Sequence, residues 1–215
     1  MEFMIPKVIH QIWVGPRKAP WEWMQTWKDK HPDWGFMLWD NEIVKNYPWV
    51  NKDKVDDLMA RGLYHGVSDV IEYEILYRYG GFVAPADSIC LEPIDELLNI
   101  KEDCFTCYEN EKRRKKLLSL HIGTVKGCKL MAELIDFLRI RTKPIVEPWL
   151  STGNKFFTQQ TNRLQYPIKV YPSHYFIPEH YTGEKYEGTD KIYAKHAWYT
   201  TKIKESGKLL TDKEE

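Results

Sequence analysis

Apolar and polar positions along this chain switch between two spacings. "KVIHQIWVG", residues 7–15, is a short apolar run rich in β-branched residues and closed by Gly-Pro, which predicts a buried strand near the start of the fold. In "APWEWMQTWKDKHPDW", Trp23 and Trp27 stand four apart, as on one helical face, and "HPDW" stops that helix before "GFMLWD" resumes as a strand. Strand, helix, strand in this order predicts a βαβ unit with a parallel pair. In "HGVSDVIEYEILYRYGG", Val67, Val70, Ile71 and Ile75 recur at helical spacing. Ser68 or Asp69 is expected to cap the start of that helix, and Gly80 suits its left-handed end.

The helix delivers the chain into "FVAPADSICL", read as a strand, an interruption at Pro85 and Asp87, and a strand again, because proline cannot donate a ladder hydrogen bond. "GCKLMAELIDFLRIRTK" predicts an amphipathic helix, and "PIVEPWLSTGNKFFTQQ" a turn-rich approach to another. Short aromatic strands follow in "IKVYPSHYFIP" and "KIYAKHAWYT", then a charged tail, 203–215, expected to fray. No internal repeat or low-complexity linker divides the 215 residues, which suffice for one sizeable core, so residues 1–215 are read as a single domain.

Composition changes this picture little. The 31 basic residues balance 31 acidic ones, so no global attraction to nucleic acid or membrane is indicated. The one basic run, "EKRRKK" at 111–116, reads as a solvated face, with phosphate binding, in nucleic acid or anionic lipid, as the alternative. Nine tryptophans and thirteen tyrosines could line a sugar or base pocket or simply fill an aromatic core. Neither a leader pattern nor a long apolar run is read in the sequence, so a cytoplasmic protein is expected. Cys90, Cys104, Cys107 and Cys128 lack a second close pair and a nearby histidine pair, and are read as free buried thiols rather than a zinc site.

The residues that could carry chemistry are Asp87 in the strand break, Asp69 at the preceding helix and His196 in the late "HAW". Hard divalent cations prefer carboxylate oxygen and manganese accepts imidazole, so a cation bridging a diphosphate would need little more. A lone aspartate in a break also serves as a turn former, and a late histidine as a satisfied core or surface residue.

Taken in order, "IPKVIHQIWVG", "HPDWGFMLW", "SDVIEYEILYRYGGFVAPADSICLEPID", "STGNKFF", "YPSHYFIP" and "YAKHAW" resemble the blocks of glycosyltransferase family 32, whose sugar-binding region carries an Asp-x-Asp motif. The resemblance covers about residues 5–200. It implies an α/β fold of GT-A type, a Rossmann-like sandwich binding a nucleotide sugar at the carboxyl ends of its strands. It further implies sugar transfer with retention, usually with Mn2+, or Mg2+ in its place. By the same resemblance His10, Gln11, Ile12 and Trp13 floor the base and ribose pocket. Ser68 and Asp69 match the "SD" pair that meets donor hydroxyls, Gly80 and Gly81 turn the chain into the motif strand, and Asp87 and His196 stand at the metal and diphosphate.

Three positions depart from the family pattern. Pro85 replaces the first motif acid, Glu72 stands where arginine is usual and reverses a charge near the donor, and Lys202 occupies a common tryptophan position. Lys202 is read as a compensating cation at the diphosphate, which would make the metal weakly held or dispensable. The expected function is a retaining glycosyltransferase using a nucleotide diphosphate sugar, a UDP-sugar first, with a glycan or other hydroxyl acceptor. The alternatives are glycosyl transfer to hydroxymethylated bases in phage DNA and a catalytically silent nucleotide-sugar or glycan binding module. No catalytic nucleophile is assigned.

Overall fold

The computed structural model describes residues 4–112 and 116–198. Strands β1 (Val8–Ile12) and β2 (Gly35–Trp39) pair in parallel across α1 (Trp21–Lys30), which is the βαβ unit the spacing predicts. Met24 and Trp27 form the buried face of α1, and the Trp27 indole N–H donates to Ser88 Oγ at 3.0 Å. Two helices then follow that the apolar spacing does not announce, α2 (Asn41–Asn46) and α3 (Lys52–Ala60). The first is a short helix capped by Asp40, whose carboxylate accepts from the Ile43 N–H, and the second buries only Val55 and Leu58.

Helix α4 (Tyr64–Tyr79) is the central helix, with an unbroken buried run from Val70 to Leu76. It begins a turn earlier than predicted, with Leu63 at its N-cap. Ser68 and Asp69 therefore lie inside the helix rather than at its cap, and Ser68 Oγ donates back to the Tyr64 carbonyl at 3.3 Å. Gly80 ends the helix with φ 66°, as expected of glycine there. At Gly81, φ is 93° and a Cβ would stand 2.4 Å from the Val8 carbonyl oxygen, so only glycine lets the next strand close on β1.

The remaining elements are β3 (Gly81–Val83), β4 (Ser88–Cys90), β5 (Cys104–Cys107), β6 (Gly123–Thr124), α5 (Lys129–Arg139), α6 (Pro148–Ser151), α7 (Asn154–Leu164), β7 (Lys169–Tyr171) and β8 (Ala194–His196). The main sheet has the order β2-β1-β3-β6-β5-β7, and β4 pairs with β8 in a separate two-stranded sheet. The two strands flanking Pro85 thus belong to different sheets. Only β6 runs against its neighbours β3 and β5, while β1–β2, β1–β3 and β5–β7 are parallel. The carboxyl ends of β1, β3, β5 and β7 therefore share one edge with the beginning of β6.

One apolar core lies between the sheet and α4, α5 and α7, and a second gathers Trp27, Phe82, Phe105 and Phe176 on the other face. All four cysteines are free and buried, and Cys104 meets Cys128 rather than its sequence neighbour Cys107. Among the described residues, no helix is long and apolar enough to cross a membrane.

Candidate donor and cation site

The chain leaves β3 where Ala84 N–H donates to the His10 carbonyl at 3.0 Å. Pro85 then ends the ladder, and its carbonyl accepts from both the backbone N–H and the hydroxyl of Ser88, closing a turn around Asp87. Pairing of β4 with β8 sets Ser88 opposite His196, and the Asp87 carbonyl accepts from Ala197 N–H at 2.8 Å. His196 Nε2 consequently stands 3.5 Å from Asp87 Oδ2, with both side chains about one-sixth exposed. Two residues named from distant parts of the sequence share one site because antiparallel pairing brings them there.

Further histidines surround them. His121, immediately before β6, is 1% exposed, holds Ser119 Oγ at Nδ1 (2.7 Å) and stacks on Phe176 with centroids 5.2 Å apart. Burial pushes its imidazole well below the usual range, with His196 adding to the effect. At the end of β5, the buried Glu109 meets His180 Nε2 at 3.3 Å and accepts from the Asn154 amide at 2.5 Å. Trp198 lies between these clusters, 4.5 Å from the His196 ring and 5.1 Å from that of His180. His121, Glu109 and His180 escape sequence reasoning because no motif spacing links them. Asn154 had a signal, since it falls in "STGNKFF".

On α4, Asp69 is partly exposed and its Oδ2 accepts from Thr152 Oγ1 at 2.9 Å. Burial pushes its carboxyl up to about 7, against the opposing pull of the Thr152 bond. Glu72, one turn along, is 5% exposed, and burial, reinforced by the Asp69 charge, raises its carboxyl well above the usual range. Burial thus opposes the negative charge expected at Glu72, because an unpaired charge is costly where water is excluded.

The first-strand residues divide. His10 is fully buried, with Nε2 on the Gly80 carbonyl (2.8 Å) and Nδ1 accepting from the Trp39 indole (3.3 Å), and burial drives its pKa down to about 4. It ties β1 to β2 and to the end of α4, with both ring nitrogens engaged within the fold. Gln11 is fully buried, with neither side-chain atom partnered, and Ile12 belongs to the core. Trp13 keeps partial exposure, its indole donating to the Arg17 carbonyl at 2.8 Å. Gly80 and Gly81 act through the backbone, as described above. Lys202, the tail 203–215 and Arg113, Arg114 and Lys115 of the basic run lie outside the described residues.

Asp87 and His196 offer one carboxylate and one imidazole, a donor set that suits Mn2+ or Mg2+. No group of three or more His, Cys, Asp or Glu side chains among the described residues could hold a metal ion. Two protein ligands accord with hard cations that share their coordination with phosphate oxygens and water.

Residues 21–105, from α1 into β5, match the family described as glycosyltransferase sugar-binding region containing DXD motif. Through this region the chain resembles that glycosyltransferase family. The matched span includes Asp69, Glu72, Pro85 and Asp87. The chain is 35% identical over 105 residues to inositol phosphoceramide mannosyltransferase 3 of Schizosaccharomyces pombe, covering 44% of this chain and 28% of that protein. It thus spans less than a third of that glycosyltransferase relative. An uncharacterized glycosyltransferase of Acanthamoeba polyphaga mimivirus is 26% identical over 212 residues, 92% of this chain and 84% of that one. Among solved structures, PaToxG glycosyltransferase superposes with a TM-score of 0.59 at 14% identity, over 75% of this chain and 70% of the other. That likeness concerns the fold, and agrees with an α/β glycosyltransferase architecture of GT-A type.

Proposed function

We propose that the chain transfers a sugar from a nucleotide diphosphate sugar, with retention of configuration, to a hydroxyl of a glycan acceptor. The observation carrying this reading is the approach of Asp87 and His196 at the carboxyl edge of the sheet, where open α/β sheets bind ligands, in a chain whose residues 21–105 match the DXD family. Asp87 and His196 would hold Mn2+ or Mg2+, which when bound supplies positive charge to the departing nucleotide diphosphate. Asp69, poised between its two protonation states near neutral pH, can accept or donate a hydrogen bond to a sugar hydroxyl. Glu72, whose ionisation burial opposes, can do the same with less repulsion of a diphosphate. The partly exposed Trp13 at the end of β1 offers an aromatic face to the base. Loss of the motif's first acid at Pro85 removes one hydroxyl acceptor, which changes donor preference, since such polar contacts discriminate between substrates. UDP-sugars head the donor panel, and the mannosyltransferase named among the relatives adds a mannose donor.

The test is release of nucleoside diphosphate from UDP, GDP and dTDP sugars, with and without Mn2+, against Asp87→Ala. Release from one donor that falls by about 100-fold or more in the variant is expected, the scale on which removal of one electrostatic contact acts on turnover. A second reading, a silent nucleotide-sugar binder, is favoured by Pro85 alone. Tight donor binding without release, with glycan acceptors present, would replace the first reading by the second.

A further inference from the structure

Beyond the carboxyl ends of the parallel strands β5 and β7 lies a cavity of about 390 Å³. One wall is the segment that follows β5, and another is Ser173 and His174, which follow β7. The third comes from a hairpin arm, closed where His180 N–H donates to the Glu184 carbonyl and Tyr186 N–H to the Pro178 carbonyl, both at 2.8 Å. Glu111 braces the β7 wall, its carboxylate accepting from Ser173 N–H at 2.8 Å and from Ser173 Oγ at 2.5 Å. The His174 ring stacks face to face on Tyr186, 3.9 Å between centroids and 6° from parallel. Gly188 makes room for this pair, since a Cβ there would stand 2.2 Å from the Tyr186 hydroxyl.

His174 Nε2 is buried without a hydrogen-bond partner, and Asp190 stays out of reach at 4.0 Å. Burial lowers the pKa of that ring, so it is neutral at pH 7 and its unmet nitrogen can bond a ligand hydroxyl. Among the described lining residues, the carboxylates of Glu111, Glu184 and Glu187 outnumber the ammonium groups of Lys112 and Lys185. That balance opposes a phosphate or an acidic sugar, whereas mixed donors and acceptors around an aromatic pair suit the hydroxyls and apolar ring faces of a neutral sugar. The volume lies at the lower end of the range for small-molecule sites, which fits a short stretch of glycan. The cavity also adjoins the candidate donor site. The Phe176 carbonyl accepts from His196 N–H at 3.1 Å, and the next residue, Ile177, lines the cavity.

We propose that this cavity is an acceptor subsite that binds a neutral pyranose residue of the glycan, with His174 Nε2 hydrogen-bonded to one of its hydroxyls. A hydroxyl both donates and accepts, so either tautomer of the neutral ring serves. Glu111 and Tyr186 hold His174 in place from two sides, through Ser173 and through the stack, so the ring is set before the sugar arrives. Assignment to the acceptor rests on the transferase reading of the Asp87 and His196 site, whereas binding of a neutral sugar at His174 does not.

The test titrates the whole chain with the methyl pyranosides of mannose, glucose, galactose and N-acetylglucosamine, with N-acetylneuraminic acid as the anionic control. Side-chain 15N NMR of the histidines and saturation transfer to the sugar are the readouts. At least one neutral glycoside should shift the His174 Nε2 resonance, and the acid should not. His174→Phe, which keeps the ring on Tyr186 but loses the nitrogen, should weaken that glycoside by about 3- to 10-fold, the scale of one neutral hydrogen bond. Gly188→Ala, in an exposed loop, displaces Tyr186 and should weaken the same glycoside, and it decides alone if His174→Phe does not fold. No shift from any neutral glycoside, a shift from the acid alone, or wild-type affinity in the folded variants would overturn the proposal. Transfer is read separately, with the nucleotide sugar that the wild type cleaves. Oligosaccharides ending in the bound sugar should be extended, with KM raised by about 3- to 10-fold in His174→Phe. Oligosaccharides bound but never extended by a protein that releases nucleotide would overturn the acceptor assignment. If the wild type releases nucleotide from no donor, the transferase reading fails, and the NMR titration still decides whether the cavity binds a sugar.

Discussion

Replacing Asp69 by asparagine should stabilise the protein at alkaline pH and not at acidic pH. Asp69 is a carboxyl whose folded-state pKa is raised from 3.8 to about 7 by burial. The folded state therefore binds the proton more tightly than the unfolded chain. Its contribution to stability is present in full below about pH 4, is lost progressively as pH rises to about 7, and is gone above that. A difference of roughly three units corresponds to about 4 kcal/mol at about 1.4 kcal/mol per unit. The side chain is partly exposed, and water screens that figure, so about 1–3 kcal/mol is the expected penalty at pH 8. Asparagine keeps an oxygen to accept from Thr152 but never ionises, and so escapes the penalty. Urea unfolding followed by tryptophan fluorescence, at pH 5 and pH 8, gives the variant-minus-wild-type difference in which other titrating groups largely cancel. That difference should grow by about 1–2 kcal/mol between the two pH values, with turnover of donor reduced, a trade of activity against stability common at active sites. An equal difference at both pH values would refute the claim that the folded state holds Asp69 protonated.

Other consequences are simpler to read. Gly123→Ala would place a Cβ 2.1 Å from Phe105 Cε1, and Phe105 is itself clamped in the aromatic stack with Phe82. Such overpacking should cost about 1–3 kcal/mol or more, and an unchanged thermal midpoint would contradict it. Glu74 is fully buried and its carboxylate accepts from the backbone N–H groups of Val50 and Asn51 at 2.8 and 3.0 Å. Glu74→Ala orphans both donors and should destabilise by roughly 2–5 kcal/mol in urea titration, at about 1–3 kcal/mol for each unmet group. Glu74→Gln, which retains one acceptor oxygen, should lose visibly less.

The βαβ opening, α4 and the break at Pro85 were legible because each depends on local chemistry. Trp23 and Trp27 mark a helical face, Gly80 supplies a positive φ, and a proline has no N–H to give to a ladder. Helices α2 and α3 were not legible: six and nine residues with few buried side chains leave too weak a periodicity. The start of α4 was misplaced because Ser68 and Asp69 have the side chains of capping residues, yet burial of the helix against the sheet extends it to Tyr64, past that local preference.

The site divides in the same way. Asp69, Asp87 and His196 could be named from order and residue type, since an acid in a broken strand and a late histidine carry their chemistry wherever they fall. That Asp87 meets His196, that both ring nitrogens of His10 are engaged within the fold, that Glu72 is buried and that His121 lies beside His196 were decided only by tertiary structure. Strand pairing and the exclusion of water are non-local: they depend on which distant segments pack together, and no residue's own identity records its neighbours.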